Sequence, residues 1–366
     1  MLVIRLIQGK TQMKKLRWIG LMSGTSLDGL DVADVTFLVN DKDETVSFQL
    51  NGTAYYDYSE QMRKALKEAV HAGGEELALL SLELCEFYAL SVRDYLKKFQ
   101  LLASDFDGLA SHGQTIFHQP DKRLTLQIGN LPHLAIDTGI TTVTDFRSRD
   151  VALGGNGAPL VPIADRDLFF GAAEGFLNLG GFSNLSSIQG NEMKSYDVCP
   201  VNIVINHLVM QQFGLPFDKN GDKGREGTVD RRLLDILNNL DYYEQDGPKS
   251  LGWEWVQRNI IPLLKSKYAL TTYYHHCAEQ ITFNLHRNGI DAVFITGGGA
   301  HNDFLIQLIE EKYRGQVILP KTEIVDYKEA IAFAYLGFLR VLGKTNVLST
   351  VTGAKADSSS GIITRP

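Results

Sequence analysis

The chain has 366 residues, 44% hydrophobic and 22% charged, an ordinary globular composition with room for two domains that each bury a core. Its formal net charge of −7 gives no basic surface for nucleic acid, although an anionic ligand stays open because the local field governs binding. Cys85, Cys199 and Cys277 are odd in number, scattered and without a C-x-x-C pair, which argues against a disulfide framework or zinc ribbon and for a reducing cytoplasm. No apolar run reaches the roughly 18 residues of a membrane helix. The start, MLVIRLIQGKTQMKKLRW, lacks the apolar core and cleavage site of a signal peptide. Met13 reads as a candidate native start, which would make residues 1–12 an extension.

Residues 16–22 form a short apolar run that predicts a strand. The small polar turn Ser23, Gly24, Thr25, Ser26, Leu27, Asp28 and Gly29 follows, then a second strand over 30–39. Residues 46–56 extend this hairpin to a meander. Ser59 caps a helix over 59–72. Leu77, Leu80, Leu84, Phe87 and Tyr88 recur at helical spacing in a long amphipathic helix, 75–99, where core packing is their expected role. A short strand at 107–110 runs into SHGQTIFHQP (111–120), and strands are predicted at 123–128 and 140–144, the latter ending in DFRSRD (145–150). Polar groups thus gather at strand ends, where open α/β sheets hold ligands.

GGNGAPLVP (154–162), with three glycines and two prolines, is a candidate domain boundary. A second hairpin is predicted over 177–188 with its turn at Gly180 and Gly181, then a strand at 193–197 and a helix at 202–213. The polar segment PFDKNGDKGREGTVD (216–230) predicts an exposed, mobile loop. Helices are predicted at 230–240, 253–264 and 269–287. A strand at 291–296 leads into GGGAHND (297–303), followed by a helix at 303–313, a strand at 317–319 and a last helix at 328–342. The Ser-, Thr- and Gly-rich tail from Thr345 is expected to lie loosely on the surface. The pattern predicts an α/β protein of two similar lobes with a cleft between them: 13–150 with the tail 343–366, and 151–342.

There is no Walker sequence, no G-x-G-x-x-G after a strand and no H-E-x-x-H, and the nine histidines do not fall at zinc spacings. The first turn sets hydroxyls and amides beside Asp28; a carboxylate next to a phosphate calls for a cation, so Asp28 points to Mg²⁺ held mostly through water, or the turn is a plain hairpin. Gly180 and Gly181 permit positive φ and can aim amides at a phosphate. Gly297, Gly298 and Gly299 can let a nucleoside lie on bare backbone, or form a tight strand-to-helix turn capped by Asn302. Three such turns at strand ends favour one nucleotide. Asp197, ending a strand, is a candidate general base or a helix-dipole acid. Cys199 has no neighbouring His and reads as a buried thiol. In an extended stretch Arg147 and Arg149 would project to one side; one can clamp a carboxylate, or they pair with Asp145 or Asp150. His112, Gln114 and His118 offer neutral partners for sugar hydroxyls, or serve structure.

GLMSGTSLDGLD, ASHGQTIFHQP, LQIGN, DFRSRD, GGNGAPLVP, LNLGGFSN and ITGGGAHND, in that order from Ile19 to about Leu342, resemble the anhydro-N-acetylmuramic acid kinase family of the sugar kinase, Hsp70 and actin superfamily. The resemblance implies two ribonuclease-H-like lobes with an interlobe ATP cleft, and ATP and Mg²⁺ as cofactors. It implies a kinase that opens the 1,6-anhydro ring of its sugar with water and phosphorylates O6, in peptidoglycan recycling. Carried over by motif, Gly24, Thr25, Ser26, Leu27, Asp28, Gly29, Leu30 and Asp31 form the ATP-binding segment, with Asp28 towards the metal. Gly180, Gly181, Gly297, Gly298 and Gly299 are the other nucleotide contacts, and Asp197 is the base that activates water. Gln114, Asp145, Arg147, Arg149 and Glu329 are the candidate sugar-binding residues, an arginine taking the lactyl carboxylate. The family commonly has Cys-Gly-Pro-Gly-Asn after its catalytic Asp; here 197–202 reads DVCPVN, and because valine avoids positive φ a different local backbone is expected. An ordinary sugar 6-kinase and a catalytically silent nucleotide- or sugar-binding regulator are the alternatives. A homodimer, with no nucleic-acid or membrane partner, is expected.

Overall fold

The structure is a computed structural model that describes residues 13–24, 26–42, 44–169, 171–189, 192–245 and 249–366. The suggested extension, 1–12, and the candidate Thr25 lie outside the described residues. The chain divides into two compact units, one running to Leu168 and resuming at Tyr327–Pro366, the other Phe169–Asp326. The boundaries therefore differ from those expected at 150 and 342. Residues 162–168 and the helix after 327, both in the first unit, are tied to each other by a buried Lys328–Asp165 ion pair at 2.7 Å and a Tyr335–Asp167 hydrogen bond at 2.8 Å.

The first unit opens with β1 (Lys14–Met22), β2 (Gly29–Val39) and β3 (Thr45–Asp57), an antiparallel meander. There follow α1 (Glu60–Glu68), α2 (Gly74–Lys98), β4 (Gly108–Ser111), β5 (Gln114–Gln119), β6 (Leu124–Ile128), α3 (His133–Thr138), β7 (Thr142–Thr144), α4 (Ser148–Ala152) and α5 (Pro162–Leu168). Strand β2 is apolar on both faces because both are covered. Leu30 and Val32 meet Leu84, Tyr88 and Val92 of α2. Phe37 packs on the rings of Tyr335 and Phe338 on the other side.

The second unit contains β8 (Gly175–Leu179), β9 (Phe182–Gln189), β10 (Glu192–Pro200), α6 (Asn202–Phe213), α7 (Asp222–Arg225), α8 (Arg231–Asn238), α9 (Asp241–Glu244), α10 (Trp253–Asn259), α11 (Ala269–Arg287), β11 (Ala292–Thr296), α12 (Asp303–Lys312) and β12 (Gln316–Ile318). Its core joins Val198, Val204, Leu208, Tyr273, Ile281 and Leu305. The remaining elements are α13 (Thr322–Val341), α14 (Ser349–Thr352) and β13 (Ile362–Thr364). Among the described residues no helix is long and apolar enough to cross a membrane.

The two sheets share one plan. Their orders are β3-β2-β1-β4-β7, with β13 added at the edge, and β10-β9-β8-β11-β12. In each, the first three strands are antiparallel and the next two parallel. This is the ribonuclease-H-like order, present twice. Helix α13 lies so close to β1 and β4 that a Cβ at Gly20 would collide with the Ala330 carbonyl, and one at Gly337 would stand 2.6 Å from Ala110 Cβ.

Three expectations are corrected. Segment 216–230 is ordered: the buried Asp218 carboxylate accepts the N–H groups of Lys223 and Gly224, both at 2.9 Å, and the Tyr274 hydroxyl at 3.0 Å. The tail is not loose, since the buried Asn346 amide donates to the Leu336 and Ser360 carbonyls at 3.0 and 2.8 Å and accepts the Ser360 N–H at 2.7 Å. The last helix starts at Thr322, well before Lys328.

Candidate active site

In the first unit the β1–β2 turn is tight. The Leu27 N–H donates to the Gly24 carbonyl at 3.4 Å, and Leu27 itself sits in the left-handed region at φ 55°. That conformation costs a non-glycine residue about 1–3 kcal/mol and persists only where the surroundings enforce it. Here Leu27 is pinned against the core, and the Asp28 carbonyl accepts the Tyr58 N–H at 2.9 Å. The Ser26 hydroxyl donates to Asp28 Oδ1 at 2.5 Å. The other Asp28 oxygen meets no hydrogen-bond donor among the described residues, and the side chain is exposed. An exposed carboxylate with one oxygen open fits a hydrated Mg²⁺. Ser23 is buried, donating to Gln114 Oε1 at 2.5 Å and meeting the Tyr58 hydroxyl at 2.6 Å. Gly29, Leu30 and Asp31 already belong to β2: Gly29 has no room for a Cβ beside Tyr55 and the Tyr56 carbonyl, and Leu30 is a core side chain, so at these two positions only backbone could reach a ligand, whereas the Asp31 side chain is half-buried.

The two arginines do not share a side. Ser148–Ala152 is helical, and the Asp145 carboxylate, on a residue at φ 55°, accepts the Ser148 N–H at 3.1 Å as the helix starts. Arg149 is exposed and reaches the Ser359 carbonyl at 3.4 Å. Arg147 turns inward: Nε and Nη2 donate to His112 Nε2 at 3.0 and 2.8 Å, and Nη1 to the Gly157 carbonyl at 2.5 Å. Burial, then the Arg147 charge, push His112 down to about 3, so it is a neutral acceptor. Burial also pulls Arg147 down to about 10, opposed by the Glu329 carboxylate. Glu329 is pushed up by desolvation and pulled back by Arg147 and Lys328; its side chain is open to water, which limits the first effect. Neither Arg147 nor Arg149 forms an ion pair with Asp145 or Asp150 among the described residues. His112 and Arg147 thus form one network on which the Glu329 charge acts, while Gln114 bonds to Ser23 and Arg149 lies outside it. His118, on β5, is bonded to Thr125 at 3.2 Å, and burial and then the Arg147 charge push its pKa down.

In the second unit Asp197 does not end its strand, which runs on to Pro200 through a bulge between Asp197 and Cys199. Its half-buried carboxylate accepts Asn184 Nδ2 at 3.1 Å and the Leu251 N–H at 2.9 Å. Burial pushes its pKa up, and these two donors oppose the shift. Val201 takes φ −120°, so no positive φ is imposed on a valine in DVCPVN. Cys199 is buried, as read.

The β8–β9 turn contains Gly180 and Gly181, neither of which uses the positive φ open to a glycine. Their carbonyls face the start of α6, accepting the Asn202 N–H at 3.3 Å and the Val201 N–H at 2.8 Å. Gly297 is at φ 84°, and a Cβ there would stand 2.6 Å from Asn178 Oδ1. Gly299 is equally tight against Leu179, whereas Gly298 is exposed. Because β8 and β11 are neighbours, both glycine turns and the Asn202 side chain, which donates to the Leu179 carbonyl at 3.1 Å, gather at one sheet end. Beside them is a concavity of about 460 Å³ lined by Asn202, Asn206, Phe217, Lys219, Gly298 and His301.

The sequence profile described as anhydro-N-acetylmuramic acid kinase matches residues 16–366. The chain belongs to the anhydro-N-acetylmuramic acid kinase family. A family relative from Mannheimia succiniciproducens is 33% identical, over 96% of this chain and 99% of its own. One from Pseudomonas syringae pv. tomato is 34% identical, over 94% and 98%. Among solved structures the chain is similar to (R)-2-hydroxyglutaryl-CoA dehydratase component A from Acidaminococcus fermentans, at 12% identity and TM-score 0.46, over 89% of this chain and 99% of that one. As a member of the anhydro-N-acetylmuramic acid kinase family the protein is an ATP-using phosphotransferase with an alcohol acceptor.

Sequence reasoning missed three residues of these networks. Asp218 bonds to Tyr274, far away in the chain, and carried no local signal. Asp150 was weighed only as an ion-pair partner, although an acid just ahead of GGNG can bind the loop's own amides. Asn184 was passed over in LNLGGFSN, yet it stands opposite Asp197 across the β9–β10 ladder.

Proposed function

We propose that this family member opens the 1,6-anhydro ring of anhydro-N-acetylmuramic acid with water and transfers the γ-phosphoryl group of ATP to the freed O6. Asp197 takes a proton from water as the water oxygen bonds to C1. The C1–O6 bond breaks, O6 accepts the phosphoryl group, and ADP and N-acetylmuramic acid 6-phosphate leave. The observation that carries this reading is the Asp197 carboxylate, half-buried, raised in pKa and held by Asn184 and the Leu251 N–H. Two accepted bonds leave lone pairs for a water, and a positioned base is worth roughly 10²–10⁴-fold.

The remaining roles follow from the chemistry of each group. Arg147, with two N–H bonds beyond those given to His112 and Gly157, takes the lactyl carboxylate; Gln114, Asp145 and Glu329 serve the sugar. The Gly180–Gly181 and Gly297–Gly299 turns and their concavity take the nucleoside side of ATP, and the turn from Gly24 to Asp28 takes phosphate. Asp28 would hold Mg²⁺ through water, and that ion, when bound, supplies charge neutralisation for phosphoryl transfer. The product assigns the protein to peptidoglycan recycling in the cytoplasm, a reducing compartment that suits three free, buried thiols. Leu79 and Leu90, exposed on α2, support a homodimer through that helix.

The test is turnover of the anhydro-sugar with ATP and Mg²⁺ in heavy-oxygen water, read by product mass. The reading requires one solvent oxygen at C1 for each ADP released. Phosphorylation of N-acetylmuramic acid with no turnover of the anhydro form would instead identify an ordinary sugar 6-kinase.

A further inference from the structure

We propose that Thr352, at the end of α14, is a positioning residue for sugar recognition that acts through Asp150 and Gly157 on Arg147. The inference rests on the reading that Arg147 holds the carboxylate of the sugar.

Asp150 is fully buried, and its hydrogen-bond donors are neutral. One oxygen accepts the Gly157 N–H at 2.7 Å and the other the Thr352 hydroxyl at 2.7 Å. The carboxylate reaches the loop only because residue 155 lacks a Cβ, which would collide with Asp150 Oδ2. The tail closes over the same loop: the Asn156 N–H donates to the Thr352 carbonyl at 2.8 Å, and the Lys355 N–H to the Leu153 carbonyl at 3.1 Å. Gly157, fixed by its N–H on one side, presents its carbonyl to Arg147 Nη1 on the other.

The guanidinium is thereby held at two places. His112 takes Nε and Nη2, and Gly157 takes Nη1. A planar fork fixed at two points is pre-organised for a carboxylate and loses little freedom on binding it. Each link is a single hydrogen bond to a buried group. Removing the Thr352 hydroxyl leaves a buried carboxylate oxygen without its donor, and the carboxylate must shift to recover one. That shift moves Gly157 and, through it, the plane of Arg147. Thr352 touches no reacting atom, so its effect belongs in the preference for a carboxylate-bearing sugar.

The experiment compares kcat/KM for anhydro-N-acetylmuramic acid with that for anhydro-N-acetylglucosamine, which lacks the lactyl carboxylate, in the full-length protein. Thr352→Val should lower the ratio of the two roughly ten- to a hundredfold, the loss expected for one buried hydrogen bond to a charged group. Thr352→Ser, which keeps the hydroxyl, should restore it. An unchanged ratio in Thr352→Val, or an equal loss for both sugars, overturns the proposal. Thr352→Ala gives the same reading if the valine variant does not fold. Arg147→Lys separates the two levels. If it does not lower the ratio, the carboxylate reading falls; if it does and Thr352→Val does not, only the positioning role falls.

Discussion

His112 Nε2 accepts two hydrogen bonds from the Arg147 guanidinium, at 3.0 and 2.8 Å, which requires the imidazole to be neutral and protonated at Nδ1. A cationic side chain thus donates to a histidine instead of a carboxylate, and Glu329 acts on it through charge.

This has a consequence for stability against pH. His112 and His276 are both pushed down to about 3, chiefly by burial, against an ordinary 6.5. As pH falls below about 6.5 the unfolded chain takes up these protons and the folded chain does not, so stability is full above that point and declines towards pH 3. Each histidine contributes a slope of about 1.4 kcal/mol per pH unit across the window. Urea unfolding between pH 4.5 and 7 should show His112→Asn with a slope shallower by about one proton. An identical slope would show that His112 is charged in the fold.

Asp197→Asn should lower kcat by roughly 10²–10⁴-fold while ATP still binds. The amide can keep one bond to its neighbours but cannot take a proton. Single-turnover assays beside nucleotide titration check this, and near-normal turnover removes Asp197 from the role of base.

The glycine turns of the second unit should respond unequally. Gly297→Ala meets both a positive φ of 84° and an oxygen 2.6 Å from the new Cβ, and should cost about 2 kcal/mol or more with a raised KM for ATP. Gly180→Ala has ordinary φ and a nearest neighbour at 3.3 Å, and should cost less than about 1 kcal/mol. Thermal denaturation and ATP kinetics on the two variants test the contrast; equal damage would mean that Gly180 is needed for something other than backbone space.

Asp218→Ala removes the acceptor for two backbone N–H groups and the Tyr274 hydroxyl. The expected cost is about 2–4 kcal/mol, with a several-fold rise in KM for ATP because Asp218 lines the Gly298 concavity. Limited proteolysis should then cut within 216–230 faster in the variant than in the unsubstituted protein. Unaltered resistance would mean that other contacts order the loop.

Much of this architecture was readable from local pattern. Helices α6 and α11 have the bounds that apolar spacing gave them, and α6 ends where Gly214 takes φ 69°. The meander and the second hairpin followed from apolar runs around small polar turns. What failed was mostly long-range. The tail looked loose because the partners that bury Asn346 lie at Leu336 and Ser360, outside any local window. Arg147 and Arg149 share a side only if DFRSRD is extended, and Asp145, three residues before Ser148, is instead a helix-start signal. Helix α13 was started late because TEIVDY carries β-branched residues that tertiary packing draws into the helix.

The short strand β13 pairs with β7 at the rim of the first sheet. Its three residues screen the amides and carbonyls of Thr142–Thr144, which any other extended chain could otherwise bind. Nibbling by a carboxypeptidase past Ile362 would strip that cover, and the damaged molecules would stick to one another while everything upstream was still chemically intact.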